Sequence, residues 1–217
     1  MIRWGSAIEH EAQTLLNQRQ AIIWASNKLV ALRKMQEAGV NVPSFWTLPR
    51  DRPEGVVVLG RSHHGSQGRD IRVYQPDEPL ALHELYTAYI PNRREYRVHV
   101  FRDEVIRVQG KWQDYPEMQT NPYIKNHAQG YRFRQPRWRL NNDRLEMAKL
   151  AVSSLGLDFG AVDMLIGEDR QTYVLEVNTA PSCSPLTAAR YVEKMAELLE
   201  IEPNLTALEV LAVDPEE

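Results

Sequence analysis

The chain has 217 residues, 43% hydrophobic and 25% charged, with a formal net charge of −3. That size suits one large domain or two small lobes, and that charge excludes a polyanion binder acting through the whole surface. The single cysteine, Cys183, excludes an intrachain disulfide and points to a reducing, cytoplasmic compartment. No apolar run approaches the roughly 18 residues of a membrane span, and the first residues lack the apolar core of a signal peptide.

In chain order, "IRWG" reads as a short strand ending in a turn. "SNKLVALRKMQEAGVNVPSF" reads as a helix, capped by Ser26 or Asn27, ended by Gly39 and kept from restarting by Pro43. "GVVVLGRS" is a β-branched strand and "IRVYQP" a second, so the two predict a hairpin around "HHGSQGRD". "LYTAYIP" is a strand or linker that stops at Pro91. "REYRVHVFRDEVIRVQGKW" predicts a strand pair turned at Asp103-Glu104. Its alternation sends Tyr96, Val98 and Val100 to one face and Glu95, Arg97 and His99 to the other. Residues 114–130 are loop-like. "YRFRQPRWRL" alternates aromatic residues and arginines. "DRLEMAKLAVSSLGL" is an amphipathic helix ended at Gly156. "DFGAVDMLIGEDRQTYVLEVN" is a hairpin turned at 167–169, and "LTAARYVEKMAELLEI" is a helix. A short helix and frayed end are expected after Pro203.

Four places carry chemistry. In the last hairpin, Glu176 and Asn178 lie two residues apart on one strand face, and Asp163 can stand opposite them. Three oxygen donors on one patch suit a hard cation such as Mg2+, which takes one or two carboxylates plus substrate phosphates. The competing reading is that Asp163 and Glu176 pair with arginines on an exposed face. The loop after Arg61, with Gly65, Ser66 and Gly68, can cradle phosphate through backbone N–H groups, or it is simply a hairpin turn. His63 and His64 diverge as neighbours, which disfavours zinc. Arg97, with Lys111 on the partner strand, can hold phosphate or a carboxylate, or belongs to a solvated strand face. The "YRFRQPRWRL" arginines can form a nucleic-acid platform, although the polar face of an amphipathic strand is the favoured reading. They sit in a basic island: residues 93–144 hold twelve Lys or Arg against six Asp or Glu, and the rest of the chain fourteen against twenty-three.

The order of these pieces resembles the ATP-grasp superfamily. "DFGAVDMLIGEDRQTYVLEVNTAPS" looks like its C-terminal metal hairpin, as in D-alanine–D-alanine ligase and the ribosomal-protein glutamate ligase. "ASNKLVALRKMQEAGVNVPSF" looks like the helix that opens its ATP-binding region. The resemblance spans about residues 24–200. It extends in particular to small phage-type ATP-grasp proteins, which share "RWGS", "EYRVHVF" and an "NHxxG"-like loop, here Asn126, His127 and Gly130.

This resemblance implies an α+β fold, two lobes with antiparallel sheets clasping ATP. The implied division is a remnant of an N-terminal segment at 1–25, lobes at 26–90 and 91–203, and a tail at 204–217. It implies Asp163, Glu176 and Asn178 as ligands of Mg2+, or of Mn2+ in its place. Lys28 and Arg61 would contact phosphates under the loop of Gly65, Ser66 and Gly68. Tyr89 and Ile90 would face adenine, with Leu175 beneath. Glu95 would hold the ribose, and Arg97 and Lys111, the catalytic candidates, would reach phosphate or substrate. The implied activity joins a small-molecule or peptide carboxylate to an amine through an acylphosphate. A phosphotransferase, or a non-catalytic nucleotide- or nucleic-acid-binding protein, is the alternative. Departures from the pattern are Ala88, where many members carry an acidic residue, and Ala161, where D-alanine ligases carry arginine; that particular reaction is therefore not expected. Some two dozen residues precede the ATP region, so the acceptor pocket is expected to be reduced or completed by another subunit, as in a homo-oligomer. Cys183 is read as structural or incidental, and no covalent nucleophile is expected.

Overall fold

The computed structural model describes residues 2–8, 16–64 and 70–203. Helices α1 (Arg19–Ser26) and α2 (Lys28–Glu37) come first, joined at Asn27. The Asn27 side chain accepts from the Val30 N–H and so caps α2. Ser26 instead closes α1, donating its hydroxyl to the Ile23 carbonyl. The expected strand at "IRWG" is not formed: Ile2 makes only an isolated bridge to Leu16. Trp4 packs against Phe159, tilted at 5.3 Å, and edge-on against Tyr191 at 5.1 Å between ring centroids.

A small antiparallel sheet follows, in the order β1-β4-β2-β3. Its strands are β1 (Phe45–Trp46), β2 (Val58–Arg61), β3 (Arg72–Tyr74) and β4 (Leu85–Ala88). The expected hairpin is β2 with β3, and Trp46, Val58, Tyr74 and Tyr86 form its own small core. The larger antiparallel sheet runs β7-β6-β5-β8-β9. It comprises β5 (Asn92–Phe101), β6 (Glu104–Gln113), β7 (Tyr131–Arg134), β8 (Phe159–Gly167) and β9 (Thr172–Asn178). Helix α3 (Asn142–Ser154) and helix α4 (Pro185–Leu199) complete the fold.

The period-2 pattern of β5 decides how these layers stack. Tyr96, Val98 and Val100 join Ile22, Leu32, Met35, Ala148, Val152 and Met164 in one buried core beneath α1, α2 and α3. Burying such side chains supplies about 25 cal/mol per Å² of apolar surface and is the main force holding helices to sheet. The opposite face carries Glu95, Arg97 and His99 between the flanking apolar positions. Helix α4 covers one end of that face, where Tyr191 packs with Phe101 and Phe159. The remainder of the face is polar.

Candidate functional site

The polar face is built by register. Arg97 on β5 pairs with Asp163 on β8, and Asp163 pairs with Glu176 on β9, so three charged side chains lie side by side. A bulge follows Asp163, with Leu175 as the extra residue of β9. Such bulges re-aim side chains at the edge of a sheet. Arg97 grips Asp163 with both ends of its guanidinium, Nε to Oδ1 at 2.7 Å and Nη2 to Oδ2 at 2.8 Å. Lys28, brought by the first turn of α2, reaches Glu176 at 3.3 Å. The Asn178 amide bridges the two acids, at 3.2 Å from Asp163 and 3.3 Å from Glu176. Asp163 is only 8% exposed, so its pair with Arg97 is not that of a solvated surface face, whereas the Glu176 side chain is 37% exposed.

Charge balance follows from that burial. Burial pushes the Asp163 carboxyl up, but Arg97 and Lys111 pull it further down, to below the usual carboxylate range. Burial works against the Arg97 guanidinium too, and Asp163 more than restores its charge. A second pair lies beside the first. Glu95 is held by Lys111 at 2.7 Å, by Lys125 at 3.4 Å and by the Asn92 amide at 2.8 Å. Burial raises Glu95 and the two lysines lower it, leaving it ionised well below its ordinary value. Phe133 of β7 lies under both Arg97 and Lys111, at 4.1 and 5.3 Å from the cations.

Arg61 ends β2 and points inward. Its Nη2 donates to Thr87 at 3.0 Å, while its Nε is buried with no hydrogen-bond partner among the described residues. Burial lowers its pKa against the opposing pull of Glu176 and Asp70. An orphaned cationic donor of this kind calls for an anion. Beside Lys28, Glu176 and Asn178 a cleft of about 260 Å³ opens, bounded also by Gly5, Leu175, Thr179 and Ala180. Gly5 is required there: at φ +71° it already approaches Ala180, and an added Cβ would come within 2.6 Å of the Ala180 Cβ.

The donor set fits a hard cation that also carries phosphate. It has two carboxylates and a carboxamide, all oxygen ligands once the Asn178 amide is turned to present its oxygen. Among the described residues no group of three or more histidine, cysteine or carboxylate side chains converges, so a self-sufficient metal cage is not the fit.

On the other side of Glu95 lies Tyr89, whose ring meets Tyr123 edge-on at 5.0 Å. Ile90 lies against the turn after β8, 3.3 Å from where a Gly167 Cβ would stand. Lys28, Arg97, Asp163, Glu176 and Asn178 thus form one cluster, Glu95 and Lys111 its neighbour, and Leu175 lines the cleft. Gly65, Ser66 and Gly68 lie outside the described residues. Cys183 donates to the Pro181 carbonyl at 3.4 Å, and burial raises its thiol pKa, as suits a structural role.

Sequence reasoning missed Asn92, Tyr123 and Lys125. The last two come from the segment read as loop. Its "NHxxG" pattern is a turn: the Asn126 side chain accepts from the Gln129 N–H, and Gly130 closes it at φ +84°. That turn carries the chain back so that Lys125 reaches Asn92 at 2.6 Å and Tyr123 reaches Gln75 of the small lobe. A lysine just before an Asn-capped turn was the available signal.

The architecture is that of the ATP-grasp fold, with two antiparallel sheets. Solved structures bear this out. The ATP-grasp ligase PsnB, complexed with a phosphomimetic variant of a minimal precursor, Mg and ADP, matches with a TM-score of 0.62 at 17% identity, over 83% of this chain and 63% of that one. D-alanine–D-alanine ligase from Bacillus anthracis matches with a TM-score of 0.63 at 12% identity, over 89% of this chain and 69% of that one. N5-carboxyaminoimidazole synthetase from Staphylococcus aureus, complexed with ADP, matches at 0.61 and 15% identity, over 79% and 49%. The chain therefore spans less than two thirds of PsnB. No family model matches the sequence, and no curated protein matches it either.

Proposed function

We propose that the protein is an ATP- and Mg2+-dependent ligase that joins a carboxylate to an amine through an acylphosphate. One observation carries the reading: Asp163, Glu176 and Asn178 converge on a single face of an ATP-grasp sheet, each acid met by a cation, Arg97 or Lys28, suited to phosphate. The ligases with this fold whose structures hold ADP, one of them with Mg, support it.

In this reading Lys28 and Arg61 bind the phosphates, with Gly65, Ser66 and Gly68 over them. Tyr89, Ile90 and Leu175 bound the adenine, and Glu95 takes the ribose. Asp163, Glu176 and Asn178 hold Mg2+, which neutralises phosphate charge when bound. A substrate carboxylate oxygen attacks the γ-phosphorus and ADP leaves. The amine nitrogen then attacks the acyl carbon, phosphate leaves, and the nitrogen gives up a proton. Arg97 and Lys111 orient the transferred phosphoryl group and spread its charge. The lobes fall at about 26–90 and 91–203. Among the described residues no helix is long and apolar enough to cross a membrane, and the single cysteine suits a cytoplasmic setting.

The test is a phosphate-release screen over pooled acids and amines, with mass spectrometry of the product. A new amide that requires ATP and Mg2+ supports the ligase. A phosphorylated product with no amide replaces it by a phosphotransferase. ATP bound but never turned over in any pool replaces it by a binding protein.

A further inference from the structure

The stretch "YRFRQPRWRL", residues 131–140, holds four arginines and no acid. Register divides β7 between two faces. Phe133 turns to the site beneath Arg97, while Arg132 stands across from Trp112 on the back of the sheet. There the side chains form a four-part stack. The Arg94 guanidinium lies 3.8 Å from the centre of the Trp138 ring, Trp138 stacks on Trp112 at 5.7 Å, and Arg137 lies 4.9 Å over Trp112. Gly110 makes room for it: a Cβ there would come within 2.9 Å of the Trp112 Nε1 and 3.5 Å of Pro136. The stack is at the surface, with Trp138 43% exposed and Arg137 and Arg139 exposed beside it.

Stacking on an indole occupies the flat face of a guanidinium and leaves its N–H edge free for bidentate contact with an anion. Asp114 is taken by Arg134 at 2.7 Å. Arg94, Arg137 and Arg139 form no ion pair among the described residues. The result is two cationic forks, Arg94 and Arg137, set against tryptophan on the sheet face opposite the nucleotide site.

We infer that this back-face patch docks a short acidic segment of a polypeptide, whose carboxylates bind the edges of Arg94 and Arg137, with the exposed Arg139 close to Arg137 in sequence. Two observations favour it over nucleic acid. Each indole already has a ring and a guanidinium against it, which leaves less ring surface for a base to stack on. The rest of the chain is also net acidic, with fourteen basic and twenty-three acidic residues outside 93–144, which disfavours a long polyanion. A few carboxylates within a Debye length of roughly 10 Å feel the patch alone. None of these residues belongs to the nucleotide site, so the inference stands apart from the ligase reading.

Fluorescence anisotropy with a labelled hexaglutamate peptide tests it, with hexalysine and an oligothymidylate as comparison probes. The expected result is salt-sensitive binding of hexaglutamate alone. Arg137→Ala with Arg139→Ala should weaken it by about tenfold or more, as loss of charge-assisted bidentate contacts predicts. Trp138→Leu, which keeps the net charge, should weaken it severalfold by freeing Arg94, and Arg137→Lys should fall between. Circular dichroism melts check the fold; if the double variant unfolds, the Trp138→Leu and Arg137→Lys results decide. Failure of hexaglutamate to bind, wild-type affinity in the Trp138→Leu variant, or tighter binding of the oligothymidylate overturns the inference.

Discussion

His99 offers the sharpest test of the packing behind the site. It is fully buried between two polar partners, with Nδ1 3.1 Å from the Tyr191 hydroxyl and Nε2 3.0 Å from the Gln109 Oε1. With the Gln109 Oε1 as acceptor, Nε2 carries the proton, and Nδ1 faces the Tyr191 hydroxyl, which also reaches the Gly160 carbonyl at 3.4 Å. Burial, joined by nearby Arg97 and Arg107, lowers the imidazole pKa to about 4 against the partial opposition of Gln109 and Asp163. The unfolded chain has a histidine of about 6.5, so it takes up the proton first as pH falls. Stability from this group is therefore full above about pH 6.5 and drains away as pH falls toward 4. Between about pH 7.5 and 5 the loss is on the order of 2 kcal/mol. Urea unfolding of the wild type and of a His99→Gln variant across that range isolates it, because the other histidines are common to both. The variant starts lower by about 1–3 kcal/mol, having traded good hydrogen bonds for poorer ones, but its stability falls less steeply with acid. Parallel pH profiles in the two proteins would refute the buried neutral imidazole.

Asp163→Asn leaves Arg97 without its partner in a buried place and should cost about 3 kcal/mol in a thermal melt. It should also abolish Mg2+-dependent phosphate release, as should Glu176→Gln; full turnover in both variants would remove these acids from the site. Lys28→Ala should weaken nucleotide binding by about tenfold or more in calorimetry, from loss of a charged phosphate contact, and an unchanged affinity would exclude it. Gly130→Ala places a Cβ 2.0 Å from the Tyr115 carbonyl oxygen at φ +84°. It should destabilise by about 2 kcal/mol or more, and limited proteolysis should then cut the 114–130 segment faster than in the wild type.

The parts of the fold that were legible in sequence are those set by local period and local caps. Alternation along 95–100 separated core from polar face, and Asn27 and Gly156 marked helix ends through side-chain capping and a left-handed φ of +68°. Helix α1 escaped because "RQAIIWAS" is short and continuous in its apolar residues, and its N-cap, Gln18, makes no side-chain bond. The convergence of the candidate residues was legible where a hairpin kept them close in sequence. Asp163 and Glu176 are thirteen residues apart and their pairing follows from one turn, although the bulge at Leu175 does not. Long-range partners were illegible for a physical reason: they depend on register between strands, which no single segment encodes. Lys125 reaches Glu95 across thirty residues only because an Asn-capped turn redirects its loop. The Arg94–Trp138 contact likewise requires β5, β6 and β7 to align first. Alternation alone made "YRFRQPRWRL" look like one amphipathic strand. In the structure the strand ends at Arg134, and Arg137, beyond Pro136, turns onto the back face. The same ten residues therefore serve two surfaces, Phe133 beneath the site's cations and Arg137 above Trp112, and substitutions at those two positions should separate nucleotide binding from peptide binding.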